Sequence, residues 1–254
     1  MTVHRIPVTH EHVPTGAVTA HVVDEERIIL VDPPERHPDI DALLADRDLD
    51  AIAVTHHHPD HAGGVAAYAR EHDATVYCRT GRAEAFTAAT GVTPDWTVAE
   101  GDRVAGTLTV RDTPGHAPEH LAFAHESGLL CGDLAVADGS VAVTAPEGDL
   151  RAYLTSLRRV RQFAPDQLYP GHGPVIEEPQ ATCERLLAHR RDREQRVLAA
   201  VEAGASTLDA VTDAAYEKDI SAVRELAVGT VEAHLEKLAV EGRVMWDGRR
   251  VAPA

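Results

Sequence analysis

Thr55-His56-His57-His58-Pro59-Asp60-His61 brings together His56, His58, Asp60 and His61 in the order His-x-His-x-Asp-His. Imidazole nitrogens and carboxylate oxygens at this density suit a divalent metal: zinc, iron or manganese. His57 stands between two candidate ligands. Neighbouring side chains in an extended loop alternate sides, so it is expected to face away from the metal. The segment follows Ala51-Ile52-Ala53-Val54, an apolar run that reads as a buried strand. A strand ending in a ligand-dense loop is how α/β enzymes present chemistry at a sheet edge.

The same device recurs three times downstream. Thr113-Pro114-Gly115-His116 follows the strand-like run Thr107-Leu108-Thr109-Val110-Arg111. Cys131-Gly132-Asp133 follows Gly128-Leu129-Leu130, and Tyr169-Pro170-Gly171-His172 follows Gln167-Leu168. Each time an apolar run ends, a glycine opens the turn, and a His or Asp comes next. Glycine lets the backbone take positive φ and approach closely, so that the ligand can point inward.

With these motifs in this order, the sequence resembles the metallo-β-lactamase-fold hydrolase superfamily over about its first three quarters. The resemblance implies two metal sites, with His56, His58 and His116 on the first and Asp60, His61 and His172 on the second. Asp133 would bridge them, and Asp60 and Asp133 would be the catalytic carboxylates. Counting agrees, since five His and two Asp exceed the four ligands of one tetrahedral ion. They suit two ions about 3.5–4 Å apart. The implied cofactor is two divalent metal ions, zinc first, with iron or manganese also suited.

The chemistry follows from charge. A bound dication lowers the pKa of water from ~15.7 toward ~7, which gives a hydroxide nucleophile without a serine or cysteine. Each ligating His is expected to donate its other ring N–H to an acceptor behind it. His120 follows His116 by four positions and is a candidate substrate contact, with a hydrogen-bonded role at the next strand's start as the alternative. His4, His10, His12, His21 and His37 are scattered and read as ordinary surface residues. Ala62-Gly63-Gly64-Val65 lacks the Lys-Ser/Thr ending of a phosphate loop and reads as the start of a closely packed helix.

The elements that must position these groups form an α+β pattern. Strands are expected near 3–8, 18–24, 27–32, 51–55, 74–78, 107–113, 120–125 and 128–132, and helices near 38–47 and 63–71. Asp149 reads as the N-cap of a helix to about Phe163, with Leu154, Leu157 and Val160 at helical spacing. Strands followed by helices in each half fit an αββα sandwich over residues 1–178.

The pattern changes after Pro174. A long helix is expected over 179–203, a second from the Ser206-Thr207 cap, and a third with Val231, Leu235 and Leu238 on one face. Asp247-Gly248 between short apolar runs is a two-residue hairpin signal. Residues 179–254 thus describe a small winged-helix-like domain. This tail resembles the β-lactamase-like-2 branch of the superfamily, some members of which cleave single-stranded RNA. The metal loop is also similar to that of hydroxyacylglutathione hydrolases.

The net charge of −17 resides almost wholly before residue 185, and Lys218 and Lys237 are the only lysines. Such acidity disfavours nucleic acid, which needs a basic stripe, and suits a salty cytoplasm. Arg190 and Arg191, in the arginine-rich long helix, are candidate contacts to an anionic substrate. Three cysteines, odd in number and far apart, read as free thiols in a reducing cytoplasm. No apolar run approaches the ~18 residues that span a bilayer, so no membrane partner is expected, whereas a homodimer is compatible with the sequence.

The leading expectation is hydrolysis of a small thioester or ester by a metal-bridging hydroxide. The alternative is a single-strand endoribonuclease; the segment between Asp133 and His172 is too short for a large inserted cap domain. A winged-helix DNA regulator with a sensing domain is the third reading, and the complete ligand set speaks against it.

Overall fold

The computed structural model describes residues 2–10, 13, 15–126 and 128–254. They form two compact units. The first comprises Met1–Thr113, Glu119–Gly139 and Ala164–Pro179; the second comprises Pro114–Pro118, Ser140–Phe163 and Gln180–Ala254. The second unit thus takes in short segments that precede residue 178, and each unit is a mosaic along the chain.

The first unit is built on two sheets. Strands β1 (Thr2–Thr9), β2 (Ala17–Asp24), β3 (Ile28–Val31), β4 (Ala51–Ala53), β5 (Thr75–Arg79) and β6 (Trp96–Val98) lie side by side in chain order. The first three pair antiparallel and the last four parallel. The other sheet runs β11 (Leu168–Pro170), β10 (Gly128–Gly132), β9 (Leu121–His125), β8 (Leu108–Asp112), β7 (Arg103–Val104). It is antiparallel except where β10 meets β11.

Strand periodicity divides the core. Ala20, Val22, Ile28, Leu30, Ile52 and Val76 belong to one cluster with Ile40 and Leu44 of α1 (Pro38–Leu44), Val65 and Tyr68 of α3 (Val65–His72), and Phe86 of α4 (Ala83–Thr90). Val23, Ile29, Val31, Ala51 and Ala53 point the other way and join Leu108, Val110, Leu121, Phe123 and Leu130 of the second sheet. Because β3 is buried on both faces, it reads as an unbroken apolar run rather than an alternation. Helix, sheet, sheet is therefore the layering of this unit, three of the four layers of the expected αββα sandwich.

Several elements differ from the sequence reading. Helix α4 and strands β6 and β7 were not expected: they are short, and alanines and threonines give α4 little apolar periodicity. Gly91 in the left-handed region ends α4. His21 is not a surface residue. It is buried on β2 against Tyr169, at a ring-centroid distance of 6.4 Å, and neither ring nitrogen has a hydrogen-bond partner. His12 lies outside the described residues.

The second unit holds α5 (Leu150–Phe163), α6 (Pro179–Glu202), α7 (Leu208–Ala215), α8 (Arg224–Val240) and a hairpin of β12 (Val244–Trp246) and β13 (Val251–Pro253). Asp149 Oδ1 accepts from the N–H groups of Arg151 and Ala152, and Thr207 accepts from Ala210 N–H, so both expected caps form. Val231, Leu235 and Leu238 pack with Val197, Val201, Val211, Val244 and Val251 in one core. The hairpin loop is longer than expected. Trp246 pairs with Val251, and the Asp247 carboxylate accepts from the N–H groups of Arg249 and Arg250. The aspartate side chain stabilises a four-residue turn in place of the two-residue one.

The arginines of α6 also depart from expectation. Arg190 is 3% exposed, donates to the Val141 carbonyl, and places its guanidinium 5.3 Å from the Tyr153 ring centre. Arg193 lies 3.6 Å over Tyr216 and donates to the Ala215 carbonyl at the end of α7. These two stack on rings and cap a helix, a use for which the planar guanidinium is suited. No helix among the described residues is long and apolar enough to cross a membrane.

Burial of His21 has a pH consequence. Burial first, then the positive neighbours Arg5, His61 and His125, push its pKa down from 6.5 to about 3. Below pH 6.5 the unfolded chain gains a proton that the folded chain refuses. Stability is therefore undiminished above 6.5 and falls as pH drops toward 3. Replacing His21 with Leu should remove a loss on the order of 1–2 kcal/mol between about pH 6.5 and about pH 5. Urea unfolding at the two pH values checks this; equal losses in both proteins would show that His21 is protonated in the fold.

Candidate metal centre

The expected ligands of the first unit sit at strand ends. His56 and His58 follow β4, and Asp60 and His61 lie in the one-turn helix α2 (Pro59–Ala62). Asp133 follows β10, and His172 follows β11. The ring centres of His56 and His58 are 4.4 Å apart and those of His56 and His61 4.2 Å. The ligand atoms of His56, His61 and Asp133 fall within 4.8 Å of one another, and so do those of Asp60, His61 and His172.

The spacing fits a cation. Asp133 Oδ1 is 3.4 Å from His61 Nε2 and 3.4 Å from His172 Nε2. Asp60 Oδ2 is 3.6 Å from His172 Nε2 and 3.9 Å from His61 Nε2. These separations are long for hydrogen bonds. They are close to the edge of a tetrahedron with metal–ligand bonds of about 2.0–2.2 Å, which is about 3.3–3.6 Å.

Behind four of the five candidate imidazoles stands an oxygen. His56 Nδ1 is 3.0 Å from Thr55 Oγ1, and His61 Nδ1 is 3.0 Å from Asp32 Oδ2. His172 Nδ1 is 3.0 Å from the Ala17 carbonyl, with Thr15 Oγ1 at 3.2 Å. In the second unit, His116 Nδ1 is 2.7 Å from the Ala142 carbonyl. Carbonyl and carboxylate oxygens only accept, so Nδ1 carries the proton and Nε2 is left basic. Thr55 Oγ1 donates to Asp32 Oδ2 at 2.8 Å and so accepts from His56.

Asp32 is the residue that sequence reasoning missed. Its carboxylate accepts from Thr55 N–H at 2.6 Å, from Thr55 Oγ1 and from His61 Nδ1, and so supports His61 directly and His56 through Thr55. Its φ of 53° is in the left-handed region, which Asp tolerates better than most residues. A signal was available, because Asp32 directly follows β3 just as the ligands follow their own strands. Glu119 was also missed. Burial alone would raise its pKa, but the His57 imidazole 2.9 Å away holds it down at about 2. His57 is thereby committed to Glu119.

The glycines act in two ways. Gly115 and Gly132 have φ of 139° and 46°, as expected for turns that need positive φ. Gly171 does not. It is required for space, since a Cβ there would lie 2.5 Å from His61 Cε1 and 3.1 Å from Asp133 Oδ1.

His120 is not placed to meet a substrate. It is 0% exposed; its Nδ1 is 2.8 Å from Thr113 Oγ1, and its Nε2 accepts from the Asp133 N–H at 3.1 Å. It holds the backbone of Asp133, a candidate ligand. Of the arginines expected to touch substrate, Arg190 is buried and Arg191 is exposed on α6.

Electrostatics favour a cation here. Burial lowers the pKa of His61, but Asp133 and Asp32 outweigh it and raise it well above the ordinary range. His172 is likewise lowered by burial and raised overall by Asp133. Carboxylates that favour an imidazolium also favour a metal ion at the same nitrogens.

An Asp32→Asn variant keeps the shape but turns an NH2 group toward a donor. It should weaken metal binding by about 10–100-fold. Metal titration followed by calorimetry checks this, and unchanged affinity would remove Asp32 from the supporting network.

Comparison with known proteins agrees with this geometry. The sequence model described as the Metallo-beta-lactamase superfamily matches residues 13–172. The beta-lactamase-like protein 2 homolog of Drosophila melanogaster is 32% identical over 209 residues, covering 77% of this chain and 70% of its own. The atrochrysone carboxyl ACP thioesterase of Aspergillus fumigatus is 30% identical over 160 residues, covering 61% of this chain and 48% of its own. The crystal structure of a metallo-beta-lactamase family protein from Thermus thermophilus superposes with a TM-score of 0.80 at 24% identity, over 99% of this chain and 98% of that one. Fold, ligand geometry and sequence agree that the chain belongs to the metallo-beta-lactamase superfamily.

Proposed function

We propose that this protein is a hydrolase that uses two divalent metal ions to cleave a small thioester or ester. His56, His58 and His116 hold one ion, Asp60, His61 and His172 hold the other, and Asp133 serves both. The observation that carries the reading is the shared tautomer of four imidazoles. At His56, His61, His116 and His172 an oxygen faces Nδ1, which leaves Nε2 as the basic atom in every case. His120 shares this tautomer, but its Nε2 is taken up by the Asp133 N–H, whereas the Nε2 atoms of His61 and His172 face Asp133 and Asp60 at metal–ligand spacing. Zinc, iron and manganese all accept this donor set.

Two divalent ions held by these residues would supply a nucleophile from water at neutral pH and polarise the scissile carbonyl. The chain's own residues do the rest. Asp133 holds its oxygen between His61 and His172, and the His120 contact to its N–H fixes that oxygen's direction. The Asp60 side chain is 19% exposed, more than either neighbour, so it is the carboxylate that water and substrate reach. It orients the attacking water and takes up its proton.

A small substrate is preferred over single-stranded RNA because Arg190 and Arg193 are committed to contacts within their own unit. The thioester class is supported by the relative named a thioesterase. Residues 179–254, three helices and a hairpin, serve as a winged-helix-like accessory domain beside a catalytic domain of residues 1–178.

Metal analysis of protein prepared without chelator should give about two ions per chain. Chelation should abolish hydrolysis of a thioester panel, and added metal should restore it. A ratio of one that does not rise with added metal would remove the shared role of Asp133. The Asp60→Ala variant should keep its circular dichroism spectrum and lose turnover by orders of magnitude. Near-normal turnover there would reject the assigned role of Asp60.

A further inference from the structure

Two helices of the second unit face each other across a groove of about 430 Å³, within the range of about 300–1,000 Å³ typical of small-ligand sites. From α5 come Leu154, Arg158 and Arg161, at positions i, i+4 and i+7 of one face. From α6 come Glu184, Leu187, Ala188 and Arg191, again on one face. Leu154 and Leu187 are buried and make an apolar floor. The arginines are exposed and form the rim.

The charge of this groove is unusual for the chain. Overall the protein carries −17, yet the groove holds three guanidiniums and one carboxylate. Glu184 pairs with Arg161 at 3.2 Å. Among the described residues, Arg158 and Arg191 have neither a hydrogen-bond nor an ion-pair partner. Several exposed arginines elsewhere are paired with acids, as Arg36 is with Asp41 and Glu71, Arg47 with Asp24, and Arg224 with Asp209 and Asp213; what sets Arg158 and Arg191 apart is that they line one groove from two helices. Two like charges on facing helices repel, and acids were plentiful enough to neutralise them. Two guanidiniums lining one groove over an apolar floor suit a ligand with anionic and organic parts.

We propose that this groove is a binding site for an organic diphosphate. Arg158 and Arg191 would take the phosphate oxygens, for which the guanidinium fork is matched in geometry. Two unopposed cations call for a ligand with at least two negative charges. Leu154, Leu187 and Ala188 would take the organic part. The Arg161–Glu184 pair closes one end and sets the length of ligand admitted. The site stands apart from the reading of the metal centre and holds whether or not that reading does.

Calorimetric titration of the full chain with ADP at low salt tests it. One saturable site is expected, with inorganic diphosphate competing and affinity falling as salt screens the arginines. The Arg158→Gln/Arg191→Gln double variant should bind ADP at least about tenfold more weakly, a difference of about 1.4 kcal/mol, with an unchanged circular dichroism spectrum. Arg158→Glu alone should do the same. Equal binding by wild type and double variant would overturn the proposal, because the anion would then sit elsewhere, as on the His/Asp cluster. Absence of saturable heat up to about 10 mM ADP, far weaker than a specific site, would overturn it too. So would succinate binding as tightly as ADP, or a single-stranded RNA oligonucleotide displacing ADP at lower concentration.

Discussion

A single buried carboxylate holds the loop of residues 55–61 in place. Asp32 receives the Thr55 N–H, the Thr55 hydroxyl and the His61 imidazole, all in the interior of the first unit. A carboxylate taken out of water is costly unless its oxygens are satisfied, and here the donors come from the loop that carries the ligands. The desolvation cost thus falls on any arrangement in which that loop lies elsewhere. Asp32 places His61, and through Thr55 it also places His56, so two candidate ligands depend on the backbone turn that follows β3.

The turns at the strand ends share a common logic with different local causes. The turns before His116 and Asp133 need positive φ, whereas the turn before His172 needs only an absent side chain. Gly63 and Gly64 extend the principle of close approach. A Cβ at either would strike the Pro34 or Glu35 backbone, so the helix after the metal loop sits directly against the segment after Asp32. Packing of this tightness resists deformation, which keeps the ligand atoms of the first unit near a fixed centre.

Much of this was legible in the sequence because ligand chemistry lives in side chains. His56, His58, Asp60, His61, Asp133 and His172 could be named from residue type and position after apolar runs, and the layered strands followed from the same runs. What stayed hidden was written in other terms. Asp32 has no ligand spacing and looks like an ordinary residue before Pro33 and Pro34. His21 was expected on the surface and Arg190 at a substrate, because polar and charged residues usually meet water or ligands. Only the tertiary partners, Tyr169 for one and Tyr153 with the Val141 carbonyl for the other, reveal their burial. The hairpin loop was mismeasured because the Asp247 side chain bonds its own turn, a contact that depends on conformation and not on spacing.

His172 and His116 take their orientation from main-chain carbonyls, at Ala17 and Ala142, where His61 uses a carboxylate. A carbonyl is supplied by every amino acid, so the identity of the residue at those two positions carries almost no chemical information. What matters is the path of the backbone through them. Related chains can therefore drift freely in side chain at these places while remaining intolerant of an inserted or deleted residue. Part of each imidazole's placement is thus carried as backbone geometry, invisible to any comparison that counts matching letters, and a chain that keeps both histidines can still lose their orientation by a change of one residue in length beside Ala17 or Ala142.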